Sequence, residues 1–122
     1  MQDADDLYKN VDSMTPEQLD ALPQGAIQLD TSGRILQYNS YEERLANRKR
    51  EDVVGRNFFT EVAPCTDVKG FRGRFTAGVK AKTLHDTFRY HFSFPKHPTD
   101  VSITLHYVAG TDTVWVFVTK LD

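Results

Sequence analysis

Three apolar patterns in the last third of the chain limit its fold more than any other feature. Phe88, Tyr90, Phe92 and Phe94 alternate with Arg89, His91 and Ser93, and Val101, Ile103, Leu105 and Tyr107 alternate with Ser102, Thr104 and His106. A period of two puts each apolar set on one face. Both segments are therefore predicted to be half-buried antiparallel strands, joined through residues 95–100. Val114-Trp115-Val116-Phe117-Val118 is apolar without a break, the pattern of a strand covered on both faces.

The preceding residues supply the rest of the layout. Residues 25–30 and 34–38 read as two more strands, and Asp30-Thr31-Ser32-Gly33 between them has hairpin-turn chemistry. Residues 39–64 break into short pieces. Gly55 fits a helix stop and Pro64 rules out a regular helix around it. Phe71, Phe75 and Val79 then fall at i, i+4 and i+8 and mark one amphipathic helix. The order is hairpin, short helices, one longer helix and three antiparallel strands. This predicts an α+β fold with a central antiparallel sheet of five to six strands, its helices on one side.

With 122 residues, 39% of them hydrophobic and 26% charged, the chain has the size and balance of one folded domain. No apolar run approaches the roughly 20 residues needed to cross a bilayer. The acidic start MQDADDLYKN lacks an apolar signal core, so no export is expected. The single cysteine cannot form an internal disulfide and fits a reducing cytoplasm. A net charge of −2 calls for neither nucleic acid nor an acidic membrane as partner.

That charge is unevenly placed. Residues 1–22 hold six acids against Lys9, a net −5, which leaves +3 on the remainder. Such a segment either stays solvated or docks on the mildly basic body. Docking is favoured by the helical spacing of Leu7, Val11 and Met14, and by Thr15-Pro16-Glu17-Gln18. There Thr15 caps, Pro16 opens the first turn and Gln18 reaches back. Residues 1–22 are expected to form a weakly docked helical cap, and residues 23–122 the core.

Few residues carry chemistry by type and spacing. Cys65 lies directly behind Pro64, and a lone cysteine is most often a small buried hydrophobe. No histidine accompanies it in a local arrangement that would make it a nucleophile. His85, His91, His97 and His106 show no zinc-ligand spacing with it, and sheet-face histidines are ordinarily solvated. Asn39-Ser40-Tyr41-Glu42 reads as a helix N-cap with its acid at the third position, so Glu42 has a purely local use. Tyr38 ends a strand and reads as core. Arg48-Lys49-Arg50 reads as a solvated loop and helix face. Residue chemistry by itself stops at a small α+β domain.

A resemblance carries the reading further. The stretches GAIQLD (25–30), ILQYN (35–39), GRNFF (55–59), VAPCTD (62–67) and WVFV (115–118) resemble the photoactive yellow protein family, a PAS-type branch of blue-light receptors. They do so in order and spacing, over nearly all of residues 22–122. The resemblance implies a p-coumaric acid (4-hydroxycinnamic acid) pigment joined by a thioester to Cys65. Tyr38 and Glu42 match the two residues that hydrogen-bond the phenolate, and Arg48 matches the arginine lying over it. Ile27, Phe58, Val62, Ala63, Pro64, Thr66, Phe92 and Phe94 match positions around the pocket.

The implied activity is non-enzymatic. Light isomerises the pigment, Glu42 gives up its proton, and the N-terminal cap is released as the signal to a downstream protein, from a monomer or weak dimer.

Three departures from the family pattern carry consequences. Ala46 stands where well-known members have a threonine hydroxyl, which implies weaker charge stabilisation and some neutral phenol absorbing nearer the ultraviolet. Lys96 replaces a methionine that some members link to rapid dark recovery. Residues 43–47 lack the glycines expected of that loop. The alternatives are a pigment-free PAS-like ligand-binding or dimerisation module and a cysteine-dependent enzyme, the latter disfavoured by the missing base. The cysteine motif of flavin light sensors is absent.

Overall fold

The computed structural model describes residues 10–92 and 98–121. Leu7, Phe94, Lys96 and His97 lie outside them. Four α-helices are present among the described residues: α1 (Pro16–Asp20), α2 (Ser40–Ala46), α3 (Arg50–Val53) and α4 (Arg72–Ala81). Five strands accompany them: β1 (Gly25–Leu29), β2 (Ile35–Tyr38), β3 (His85–Phe92), β4 (Thr99–Val108) and β5 (Thr113–Lys120). The strands form one antiparallel sheet in the order β2-β1-β5-β4-β3. The predicted hairpins are therefore present, and the continuously apolar segment is the central strand.

Local chemistry accounts for the turns. The Asp30 carboxylate accepts from the backbone N–H groups of Ser32 and Arg34, each at 2.9 Å. Gly33 takes a positive φ of 92° at the end of that turn, a conformation that costs glycine nothing. In α1 the reciprocal cap is complete. Thr15 Oγ1 accepts from Gln18 N at 3.2 Å, and Gln18 Oε1 accepts from Thr15 N at 2.8 Å.

On one face of the sheet, Val114, Val116 and Val118 of β5 pack with Ile27, Ile103, Leu105 and the buried rings of Phe58, Phe59, Phe71 and Phe75. The helical segments between β2 and β3 cover this face. On the other face, Trp115 and Phe117 pack with Ala26 of β1 and with Val11 and Leu19. The sheet thus carries helical structure on both sides, not on one. Residues 10–22 supply the second cover, which is why β5 has no polar face.

Polar contacts add to this docking. Asp12 accepts from Trp115 Nε1 at 3.0 Å and from Gln28 Nε2 at 3.3 Å. Removing the α1 cap should loosen this cover selectively. Thr15→Ala is expected to cost about 1 kcal/mol and to speed amide exchange in residues 15–21, with β3 and β4 unchanged. Equal acceleration in the central strands would show that the segment does not open separately.

Candidate functional site

Glu42 is the least ordinary residue of the fold. It lies in the first turn of α2 and is 4% exposed. Asn39 caps the helix, its Oδ1 accepting from Glu42 N at 3.1 Å. The backbone N–H of Asn39 donates to Ala26 O at 3.1 Å. The capping use open to the Glu42 carboxylate is therefore already taken. Instead its Oε1 is buried with no hydrogen-bond partner. Loss of hydration raises its pKa to about 8, so the carboxyl holds its proton at neutral pH.

Gly25 makes room for this placement. A Cβ built there would lie 2.1 Å from Glu42 Oε1. The sequence pattern puts Gly25 at the start of a strand, and a strand glycine also marks close approach by another group.

The carboxyl borders a cavity of about 300 Å³ lined by Tyr38, Glu42, Ala46, Arg48, Phe58, Val62, Ala63, Pro64, Cys65 and Phe92, at the small end of ligand pockets. Ten residues named from the sequence thus meet around one space. Two others do not line it. Ile27 is buried in the core, where its Cα pairs with that of Tyr38 across β1 and β2. Thr66 is fully buried, its hydroxyl donating to Ala63 O at 2.6 Å. Phe94 and Lys96 lie outside the described residues.

Each wall has a structural cause. Tyr38 is core, as its sequence position suggested, yet it also reaches the cavity. Its pKa is raised well above the ordinary phenol value by burial and then by Glu42, so its hydroxyl stays a donor. After α2, Asn47 takes a left-handed φ of 55°, which asparagine tolerates better than most residues. Asn47 does there what a glycine would do and turns the chain into Arg48. The Arg48 side chain donates from Nη1 to Val62 O at 3.0 Å and so spans the cavity. A π-helical turn (Phe58–Val62) and a 3-10 turn (Pro64–Thr66) place Cys65 at the surface, exposed. The ordinary expectation of a buried cysteine is overturned. Tyr90 donates its hydroxyl hydrogen to Cys65 O, a contact that strand alternation did not reveal.

The site is also wired to the N-terminal segment. Asn39 Nδ2 donates to Leu19 O at 2.8 Å and to Gln24 O at 3.0 Å, while its Oδ1 also accepts from Ala26 N at 3.0 Å. Arg50, on the partly solvated helix face read from the sequence, bridges Asp20 and Glu43, each at 3.0 Å.

The sequence matches the PAS fold over residues 13–118. It is 41% identical over 118 residues to a photoactive yellow protein of Halochromatium salexigens, covering 97% of this chain and 94% of that one. The chain belongs to the photoactive yellow protein family.

A solved relative agrees: the photoactive yellow protein domain of the sensor histidine kinase Ppr from Rhodospirillum centenum. It is 47% identical with a TM-score of 0.89, over 93% of this chain and 99% of that one. A LOV protein of Rhodobacter sphaeroides, 15% identical at a TM-score of 0.68 over 84% of this chain and 62% of that one, shares the fold.

Proposed function

We propose that this chain is a blue-light photoreceptor that carries a p-coumaroyl group as a thioester on Cys65. The observation that carries the proposal is the buried Glu42 carboxyl, its Oε1 without a hydrogen-bond partner, bordering a cavity that Cys65 also lines. A buried polar atom without a partner costs about 1–3 kcal/mol, a cost that a bound phenolate oxygen would remove by accepting its proton in a hydrogen bond. Tyr38 donates the second bond, Arg48 closes the pocket, and Phe58, Val62, Ala63, Pro64 and Phe92 exclude water. Ile27 and Thr66 support this wall from the core.

When bound, the group supplies light absorption and isomerisation about its double bond. The Glu42 carboxyl would then give its proton to the phenolate oxygen that it hydrogen-bonds, leaving a neutral phenol and a carboxylate. The carboxylate left behind is buried without a donor, a penalty of several kcal/mol. Asn39 connects the Glu42 turn to the Leu19 carbonyl, so strain there reaches the cap over Trp115. Release of the cap exposes the apolar face of Ala26, Trp115 and Phe117 to a downstream signalling protein in the cytoplasm. Among the described residues no helix is long and apolar enough to cross a membrane.

The test is the absorption spectrum of protein supplied with activated p-coumaric acid, before and after blue light. A visible band that bleaches and returns, and that is lost in Cys65→Ala, is the expected result. With Ala46 in the wall, a second band nearer the ultraviolet should grow as pH falls. Failure of intact protein to take up pigment would sink the proposal in favour of a pigment-free binding module. Light-insensitive amide exchange at residues 10–22 would sink the release of the cap alone.

A further inference from the structure

His85 and His106 are directly opposite each other on β3 and β4. Their rings meet edge to face with centroids 5.2 Å apart, and their Nδ1 atoms are 3.0 Å apart. Two neutral imidazoles can approach in this way only if one Nδ1 carries a hydrogen and the other offers a lone pair. Strand register holds the two nitrogens together on the surface, at the opposite end of β3 from the cavity-lining Phe92 and on the other face of the sheet. We propose that His85 and His106 form a binding site for a late divalent transition-metal ion, with cupric ion preferred.

Geometry sets the preference. If the nitrogens keep their 3.0 Å separation as the rings turn, metal–nitrogen bonds of about 2.0–2.1 Å subtend about 94° at the metal. That is close to the right angle of the square-planar and tetragonal sites of Cu(II) and Ni(II). A tetrahedral zinc ion needs an angle of about 109°, which would spread the nitrogens to about 3.3 Å. The general affinity order of divalent ions also peaks at copper.

Binding requires the rings to turn until both Nδ1 lone pairs meet at one point. The hydrogen on the donor Nδ1 returns through solvent to Nε2 of the same ring, so two neutral rings bind without net proton release. Among the described residues no group of three His, Cys, Asp or Glu side chains is placed to hold a metal, so these residues offer the ion two protein ligands.

The neighbouring residue supplies a readout. Trp115, the single tryptophan, is the β5 partner of His106, and cross-strand partners project from the same face. Its indole is the group bonded to Asp12 of the N-terminal segment. A cupric ion on the histidine pair therefore lies beside the fluorophore and quenches it.

The experiment titrates the whole chain with cupric chloride in a non-coordinating buffer, following tryptophan fluorescence and heat. Saturable quenching at one equivalent is expected, with zinc chloride binding more weakly. His85→Gln and His106→Gln should each weaken cupric binding by at least about tenfold, since even outer-shell losses at metal sites cost about 10–100-fold. His91→Gln is the control. Its Nδ1 pairs with Asp100 at 2.7 Å elsewhere on the same hairpin, and its loss should leave the affinity unchanged. Parental binding in both His85→Gln and His106→Gln would overturn the site. Loss of binding in His91→Gln would overturn it as well, and zinc binding tighter than copper would overturn the geometric argument.

Discussion

Replacing Glu42 by Gln is expected to abolish a fall in stability that the pigment-free parent shows between about pH 4.5 and pH 8. Below that range the carboxyl is protonated in both the folded and the unfolded chain. Within it, the unfolded chain has released its proton near the ordinary value of 4.5, while the folded protein keeps it up to about 8. The folded state therefore binds more protons, and stability falls as pH rises, by about 1.4 kcal/mol per unit. Above about pH 8 both states are ionised and the slope ends.

The whole span amounts to about 5 kcal/mol, comparable with the entire stability of a marginal domain. Gln has the same shape and no proton to lose, so Glu42→Gln should outlast the parent in urea by a margin that widens from pH 5 to about pH 8 and then stays level. Urea midpoints at several pH values for both proteins provide the measurement. Parallel curves for parent and variant would mean that Glu42 is hydrated in the folded protein, and the partnerless carboxyl would lose its standing as the centre of the site.

Much of the fold was legible because periodicity reports burial directly. The unbroken apolar run of β5 announced two covered faces, and both exist. What it could not say was which residues form the second cover. Val11 and Leu19 sit in two short helical pieces separated by Met14 and Thr15, so no single helical period links them. At the site, ten of the residues carried over by resemblance meet at one cavity. Ile27 pairs with Tyr38 across the sheet and Thr66 follows Cys65 in the chain, yet both are buried away from the cavity, a distinction of direction that matched motifs do not encode. Glu42 illustrates the opposite limit. Its local pattern offered a capping role, and only the hydrogen bonds of Asn39 with Glu42 N and Ala26 O show that this role is filled without it.

Gly25→Ala should displace Glu42 rather than break the strand. The added Cβ would stand 2.1 Å from Glu42 Oε1 and 3.2 Å from its Cδ, with Val118 Cβ at 3.3 Å. The first two atoms end a flexible side chain bordered by a cavity of about 300 Å³, so the carboxyl can move aside at an overpacking cost of about 1–3 kcal/mol. It then occupies space that the proposed pigment needs, and uptake of activated p-coumaric acid should fall sharply. The second variant separates this from ordinary strand damage. In a Glu42→Ala background the clash is gone, and alanine also restrains the unfolded chain, worth about 0.4–1 kcal/mol in favour of folding. Gly25→Ala should there be neutral or slightly stabilising. The double-mutant cycle is therefore expected to give a coupling between the two positions of about 1–3 kcal/mol. An equal loss in both backgrounds would place the conflict at Val118, and Gly25 would then be a packing glycine of the sheet with no part in holding the Glu42 carboxyl at the cavity.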